Sequence, residues 1–149
     1  MGRASGVLLA VSSLPNSYGI GTFGKEAYDF IDFLVRTKQR YWQVLPLTTT
    51  SYGDSPYQSF SAAAGSPYYI DLKDLEKLGY LKSDDFEDIS FGTSNTCVDY
   101  GALFVNHRRL LNRAFDRFMQ DVPADFEKFC HDHAEWLDPY AEFMSLKEE

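Results

Sequence analysis

Apolar residues in the first fifty positions follow the pattern of a strand, a helix and a second strand. Short apolar runs cover residues 7–11 and 41–47, and each has the length of a buried strand. Residues 26–38 lie between them and carry apolar side chains at helical spacing, namely Ala27, Phe30, Ile31, Leu34 and Val35. This order predicts one βαβ unit whose two strands are parallel.

The pattern after residue 70 is mostly helical. Asp71 can cap a brief helix, and Gly79 stands where such a helix would end in the left-handed conformation. Residues 83–95 are polar and acidic, so we expect them to form a surface connection. An apolar stripe at helical period then predicts the longest helix of the chain over residues 99–119.

A second apolar stripe begins at Phe126 and predicts one more helix. Pro139 should interrupt it, because proline suits the first position of a helix and Asp138 can cap one there. We therefore expect a new helix to begin at this point. The stripe also contains Cys130 and His133, whose i, i+3 spacing is a weak metal signal, since the sequence offers no second ligand pair. We expect no metal site, and we expect His107, on the stripe of the preceding helix, to be a hydrogen-bonded core residue.

The segment after the second predicted strand turns abruptly from apolar to polar and aromatic. Gly53, Pro56 and Gly65 punctuate it, and its rings stand among Ser, Thr, Asp and Gln residues. Loops at the carboxyl ends of parallel strands commonly carry the ligand contacts of α/β proteins. Rings beside hydroxyl groups suit a polyhydroxylated ligand such as a sugar. The alternative is an ordinary surface loop whose tyrosines cover the core.

Composition narrows the class of partner. The chain has 149 residues, 44% of them hydrophobic, and 14 basic against 22 acidic residues give a net charge of −8. This charge disfavours nucleic acid, because a phosphate backbone would be repelled. No run approaches the about 20 apolar residues that span a bilayer, so we expect no membrane insertion. The opening residues lack a secretory pattern and the two cysteines are too few for a disulfide scaffold, so we expect a cytoplasmic protein.

Gly19, Gly21 and Gly24 spell GxGxxG between a predicted strand and a helix, which is the pattern of a dinucleotide-binding domain. Seven residues, including Pro15, separate Val11 from the first of these glycines, whereas in dinucleotide-binding folds the glycine follows the strand almost at once. We therefore favour glycines that serve a tight loop and close helix packing. Dinucleotide binding stays a weak alternative.

Four segments, in order, carry a resemblance to a known family. They are SGVLL, SSLPNSYGIG, RYWQVLPL and YGDSPYQSFSAAAGSP, and weaker matches continue through VDYGALF and WLDPYAEFMSLKE. The chain resembles the N-terminal portion of the amylomaltases, or disproportionating enzymes, of glycoside hydrolase family 77. The resemblance extends over essentially the whole chain, but it covers only the N-terminal part of the longer proteins of this family.

The resemblance implies an α/β fold, the N-terminal part of a (β/α)₈ TIM barrel. Residues 1–70 would supply its first two parallel strands, the connecting helix and the aromatic substrate loop. Residues 71–149 would form a mostly helical insertion subdomain. The rest of the barrel would then be a partner of this chain, because two parallel strands do not form a stable sheet alone.

The function implied by the resemblance is that of a 4-α-glucanotransferase. Such an enzyme transfers α-1,4-glucan segments between maltooligosaccharides through a covalent intermediate with retention of configuration, and it needs no metal or organic cofactor. The catalytic carboxylates of the family lie on later strands, so we expect these residues alone to be inactive. A non-catalytic glucan-binding module is the alternative. A module should fold alone, whereas an incomplete barrel should aggregate or stay molten.

The resemblance also carries over five substrate-binding positions and no catalytic one. Tyr57 matches a tyrosine that stacks on the sugar beside the cleaved bond, and Ser55 matches a position lining the same subsite. Tyr52 matches an aromatic residue of a second, outer glucan groove, and Tyr100 matches its companion. Asp54, the only acidic residue inside the loop, is expected to form a turn or to accept a hydrogen bond from a hydroxyl group.

Overall fold

A parallel pair of strands begins the fold. The structure, a computed structural model, describes residues 2–94 and 96–148. Strand β1 (Gly6–Leu8) pairs in parallel with β2 (Tyr41–Gln43), and helix α1 (Lys25–Arg36) lies between them in sequence. This confirms the predicted βαβ order. The rest of the described chain is mostly helical, also as predicted.

Both strands are shorter than the apolar runs that predicted them. The amide of Leu9 still donates to the carbonyl of Gln43, but a 3-10 helix follows at Val11–Ser13. Residues 44–47 leave the ladder and pack Val44 and Leu47 onto the core instead. The predicted bounds of 7–11 and 41–47 are therefore wrong. Apolar content reports burial, and these residues are buried by packing rather than by pairing.

Helix α1 covers one face of the two-stranded sheet. Ala27 and Leu34 are buried on this side, and the ring of Phe30 meets that of Trp42 edge to face at 4.9 Å. The helix ends at Arg36, two residues before the predicted bound, because Thr37 donates its hydroxyl to carbonyls of the last turn and Lys38 is left-handed (φ 59°).

Helix α2 (Leu72–Lys77) confirms the brief helix predicted after residue 70. The carboxylate of Asp71 accepts a hydrogen bond from the amide of Asp74 at 3.1 Å, which caps the first turn. Gly79 has a φ of +83°, a conformation in which a residue with a side chain would be strained. Asp71 also accepts a hydrogen bond from the hydroxyl of Thr22 at 2.5 Å, so the cap ties α2 to the loop before α1.

Residues 83–94 form a mostly exposed connection, as their polarity predicts, but several of its side chains anchor it to the core. A 3-10 helix spans Ser83–Phe86, and the carboxylate of Asp85 accepts two hydrogen bonds from the guanidinium of Arg117, at 2.5 and 3.0 Å. Phe86, Ile89 and Phe91 pack against the main core. The sequence does not predict this anchoring, because Asp85, one of four acidic residues in the segment, pairs with an arginine far along the chain. Residue 95 lies outside the described residues.

Helices α3 (Tyr100–Phe118) and α4 (Ala124–Glu148) form the second half of the fold. Helix α3 matches its prediction within about a turn, and the side chain of Asp99 caps it. Its buried residues Leu110 and Ala114 join Leu72 and Leu81 in the larger of two core clusters. None of the helices in the part of the chain that the structure describes is long and apolar enough to cross a membrane.

Pro139 lies inside α4 and does not divide it. The prediction of a new helix at Asp138 is wrong, because one helix runs from Ala124 to Glu148. Proline removes one backbone hydrogen bond, to the carbonyl four residues earlier, and the hydrogen bonds on either side keep the helix continuous.

Candidate functional site

The aromatic segment after β2 is a loop closed at its base. Thr48 and Gly65 form an antiparallel bridge, and the amide of Ser66 donates to the carbonyl of Leu47 at 2.9 Å. The amide of Thr49 donates to the carbonyl of Ala64 at 3.3 Å. These bonds bring the two ends of the loop together. The residues between them are therefore presented as one unit from the end of the strand.

Local turns shape the tip of this loop. The amide of Asp54 donates to the carbonyl of Ser51 at 3.1 Å, and Gly53 and Asp54 are both left-handed, with φ of +91° and 55°. Ser55 holds the following residues, since its hydroxyl accepts from the amide of Tyr57 at 3.4 Å and its carbonyl accepts from that of Gln58 at 3.0 Å. Asp54 is thus a turn former, as its position beside Gly53 suggests.

The loop presents two of its tyrosines to solvent. Tyr52 is fully exposed and Tyr57 is 73% exposed, so neither covers the core. Exposed aromatic rings beside hydroxyl groups can stack on the faces of a ligand that also needs hydrogen bonds. The alternative of core-covering tyrosines applies instead to Tyr68 and Tyr69, which are half-buried at the end of the segment.

Tyr100 joins these half-buried tyrosines from the first turn of α3. Its ring meets that of Tyr68 at 6.2 Å, and burial raises the pKa of both phenols. The negative charge of Asp54 also raises both pKa values, which places this carboxylate towards the same group. A hydrogen bond from Ser12 works in the opposite direction on the pKa of Tyr100. Asp54 therefore acts electrostatically on the group of tyrosines to which Tyr100 belongs.

The other predicted site residues lie apart from that group. Ser55 and Tyr57 contact each other within the loop, and the ring contacts found in residues 2–94 and 96–148 do not include one between Tyr52 and Tyr100. Sequence reasoning missed the roles of Ser12 and Tyr68. Ser12 lies within the 3-10 helix after β1, and Tyr68 lies in another one just before α2. Neither position gives a signal in the sequence, because the chain must fold before these residues meet Tyr100.

His107 lies under this aromatic group and is fully buried. Its ring meets that of Tyr68 edge to face at 5.7 Å, and neither ring nitrogen has a partner within hydrogen-bonding geometry. Burial lowers the pKa of His107 to about 4, and a weak backbone interaction with Ile70 opposes that shift. His107 is a core residue as predicted, but it is not the hydrogen-bonded one that we expect from sequence.

A cleft of about 1030 Å³ opens between the loop after β1 and the segment before α3. Polar groups dominate its lining, among them Ser12, Asn16, Glu26 and the phenol of Tyr100. The sequence predicts a loop here but not a cleft. Phe91 lines the cleft and belongs to the segment that the ion pair of Asp85 and Arg117 holds against the core.

The glycines of the GxGxxG pattern face protein rather than open space. A side chain at Gly21 would collide with the carbonyl of Val11, and one at Gly24 would collide with the carboxylate of Asp71. Gly19 is left-handed, with a φ of +81°. This agrees with glycines that serve a tight loop and close packing.

The helix that carries Cys130 and His133 uses its histidine for packing. The ring of His133 meets that of Phe129 at 4.5 Å, and Nδ1 accepts a hydrogen bond from Trp136 Nε1 at 3.4 Å. No group of three potential metal ligands occurs among residues 2–94 and 96–148.

A parallel βαβ unit with a polar, aromatic loop after its second strand is the arrangement by which α/β enzymes present ligand-binding residues. Comparison with known proteins identifies the family. The family model described as 4-alpha-glucanotransferase matches residues 9–149. The chain therefore belongs to glycoside hydrolase family 77, as the sequence resemblance predicts.

Individual relatives agree with this assignment. The 4-alpha-glucanotransferase of Streptococcus pneumoniae serotype 4 is 56% identical over 148 residues, which cover 98% of this chain and 29% of that protein. The enzyme of Thermus thermophilus is 48% identical, with 97% and 29% coverage. A solved amylomaltase from Streptococcus agalactiae, in complex with acarbose, superposes with a TM-score of 0.92 at 50% identity, over 99% of this chain and 30% of that one. The chain thus spans about 29% of the length of these curated relatives.

Proposed function

We propose that the chain supplies the N-terminal part of a 4-α-glucanotransferase. The complete enzyme would transfer α-1,4-glucan segments between maltooligosaccharides by a retaining, covalent mechanism. The observation that carries this proposal is the 56% identity to a 4-alpha-glucanotransferase over nearly the whole chain.

We place β1, α1 and β2 at the start of a (β/α)₈ barrel. Residues 1–70 would contain this start and the substrate loop, and residues 71–149 would form a helical insertion. The open face of the sheet supports this placement. Leu8 and Tyr41, on one face of the sheet, are 60% and 65% exposed. Val7 and Trp42, on the other face, are partly buried, and Trp42 packs against α1. In a closed barrel that open face would be filled by side chains of later strands, which would make the rest of the barrel the partner of this chain.

The five predicted site residues would act on the glucan rather than on the scissile bond. Tyr57 would stack on a sugar beside the cleaved bond, with Ser55 lining the same subsite. Tyr52 and Tyr100 would contact glucan in an outer groove, and Asp54 would accept hydrogen bonds from hydroxyl groups. The exposure of Tyr52 and Tyr57 supports this, as does the acarbose complex of the Streptococcus agalactiae amylomaltase.

These residues hold and orient substrate but do not complete the chemistry. Retaining transfer needs two carboxyl groups about 5 Å apart, one as nucleophile and one as acid and base. Asp54 supplies the one carboxylate of the loop, so the loop does not contain the pair that this chemistry needs. We therefore expect the chain alone to be inactive, with the reacting carboxylates on later strands.

A chimera tests the proposal directly. The present residues would replace the matching 30% of the Streptococcus agalactiae amylomaltase, and transfer would be followed as the conversion of one maltooligosaccharide into a ladder of longer and shorter ones. We expect activity within about tenfold of the parent, because the chain should complete the barrel. A soluble, folded chimera without transfer would contradict the proposal.

Tyr57→Ala in the same chimera tests the predicted stacking. Loss of an aromatic contact should lower kcat/KM about two- to tenfold, mainly because KM rises. Tyr28→Ala is the matched control, because Tyr28 is an exposed tyrosine of α1 outside the loop. Equal kinetics for the two variants would remove Tyr57 from the site.

The non-catalytic module makes a different prediction for the isolated chain. A module should give a dispersed amide NMR spectrum in which maltoheptaose shifts the signals of Tyr52, Ser55 and Tyr57. It should not restore transfer in the chimera. The two experiments together therefore separate a binding module from a piece of the enzyme.

A further inference from the structure

The end of α4 contacts the aromatic loop through three residues. The ring of Phe60 lies 5.6 Å from that of Phe143, and the ammonium group of Lys147 lies 3.9 Å from the centre of the Phe60 ring. We call Phe60, Phe143 and Lys147 the aromatic clasp. It joins two segments that are more than eighty residues apart in sequence, and neither the composition of the loop nor the period of α4 predicts it.

The clasp holds the side of the loop that follows Tyr57. Two residues, Gln58 and Ser59, separate Tyr57 from Phe60. Ser59 donates its hydroxyl to the carbonyl of Ser61 at 2.7 Å and lies 3.5 Å from the hydroxyl of Thr49. The bonds of Ser55 hold the side that precedes Tyr57. Tyr57 is therefore fixed from both directions although its own ring is exposed.

Pro139 makes the clasp important for the helix as well. Pro139 has no amide hydrogen for the carbonyl of Glu135, so α4 lacks one backbone bond shortly before Phe143. The backbone bonds on either side keep the helix continuous, and the side-chain contacts of its last turns add to a backbone that lacks one bond. Phe143 and Lys147 supply such contacts on the loop.

We propose that Phe60, held by Phe143 and Lys147, is a positioning residue that fixes the orientation of Tyr57 for its ligand. A loop that is ordered before binding loses less conformational entropy when the ligand arrives, so the clasp raises affinity without touching the ligand. This inference rests on the proposed function only in assigning a glucan to Tyr57. The coupling of α4 to the loop can be measured without any sugar.

The variants use the charge of Lys147, because a change at a surface lysine should leave the fold intact. Lys147→Gln removes the cation above the ring, and Lys147→Arg keeps one. Lys128→Gln is the matched control, since Lys128 is an exposed lysine of the same helix that pairs with Asp132 rather than with a ring.

The first measurement is amide hydrogen exchange, without ligand, in the chimera that joins the present residues to the remainder of the Streptococcus agalactiae amylomaltase. The reporters are Asp54, Tyr57 and Gln58, whose amides all donate hydrogen bonds within the loop. Lys147→Gln should raise their exchange rates about two- to fivefold, while Lys147→Arg and Lys128→Gln should leave them unchanged. Unchanged rates in Lys147→Gln would overturn the proposal, and so would wild-type rates as fast as those of an unfolded peptide.

The second measurement is the affinity for maltoheptaose of the same chimeras, with both catalytic carboxylates of the amylomaltase part replaced so that the sugar is not consumed. We expect Lys147→Gln to weaken binding about two- to fivefold and Lys147→Arg to restore it. Faster exchange with unchanged affinity would contradict a positioning role. Absence of binding by the chimera that carries the unchanged residues would count against the proposed function, and the exchange rates would still decide whether the clasp orders the loop.

Discussion

The strand region, residues 2–47, and the helical region, residues 71–148, bury their apolar residues in different ways. Leu72, Leu81, Leu110 and Ala114 form a closed cluster in the helical region, with only Tyr18 reaching it from the other region. The strand region buries Val11, Leu14 and Ala27 on one face of its sheet and leaves the other face open. The helical region can therefore hold its structure largely by itself, whereas the strand region presents a surface that needs a cover.

The two regions also differ in how they treat charge. The helical region contains the ion pair of Asp85 and Arg117, which connects the segment before α3 to its last turn. Within the described residues of the strand region the one ion pair, between Lys25 and Asp29, is exposed and lies inside a single helix. An exposed pair of this kind contributes little, so the strand region gains almost no stability from ion pairs. We therefore expect the stability of the chain to reside in the helical region.

The sharpest test of that expectation is Leu110→Ala. The residue is fully buried in the closed cluster, so truncation should leave a cavity and lower the free energy of unfolding by about 3 kcal/mol. Urea unfolding followed by circular dichroism measures this. Leu78→Ala is the matched control, because Leu78 is 67% exposed in the same region. Equal losses for the two variants would mean that the cluster is not the centre of stability.

The second test uses the unpaired histidine of α3. The pKa of His107 is about 4 in the folded chain and about 6.5 when it is unfolded. Between these values the unfolded state binds the proton more tightly, so stability should fall as the pH drops from 6.5 to 4, by about 3 kcal/mol.

His107→Leu should remove this dependence, because leucine neither titrates nor leaves buried nitrogens without partners. His131→Leu is the control, since His131 is exposed on α4. The measurement is the free energy of unfolding at several pH values. If the slope persisted in His107→Leu, protonation of His107 would not be its cause.

A smaller effect is expected at the ion pair. Hydrogen bonds from Arg117 lower the pKa of Asp85 from 3.8 to about 2. The stability that this adds is complete above pH 3.8 and is lost as the pH falls to about 2, and it amounts to about 2 kcal/mol. Asp85→Asn should lower stability at neutral pH by a similar amount and flatten the acid limb of the curve. Asp29→Asn, at the exposed pair, should change neither quantity measurably.

How much of this comparison is visible in the sequence depends on the range of the interactions. The βαβ order, α3 and the capped turn at Asp71 were predictable because they depend on the spacing of apolar residues and on capping residues close by in the sequence. The role of Asp85 was not, because its partner Arg117 lies 32 residues away. The same holds for Pro139, whose local rule predicts a helix start although neighbouring hydrogen bonds preserve one helix.

The candidate site divides along the same line. The aromatic loop was predictable as a place for ligands, because an apolar strand runs into rings and hydroxyl groups. The family resemblance added five positions, which stay predictions until the binding of a glucan to them is measured. Ser12, Tyr68 and the clasp partners of Phe60 could not be found in advance, since each acts through a residue that only folding brings near.

The smallest expected effect in the isolated chain is that of Leu8→Ala. Leu8 is 60% exposed on the open face of the sheet, so its truncation should change the free energy of unfolding by less than about 0.5 kcal/mol. In the chimera with the remainder of an amylomaltase, the same side chain should be buried inside the barrel, and truncation should then cost about 2 kcal/mol or more. A small cost in both proteins would mean that this face stays open to solvent, which would contradict the placement of β1 and β2 at the start of a closed barrel.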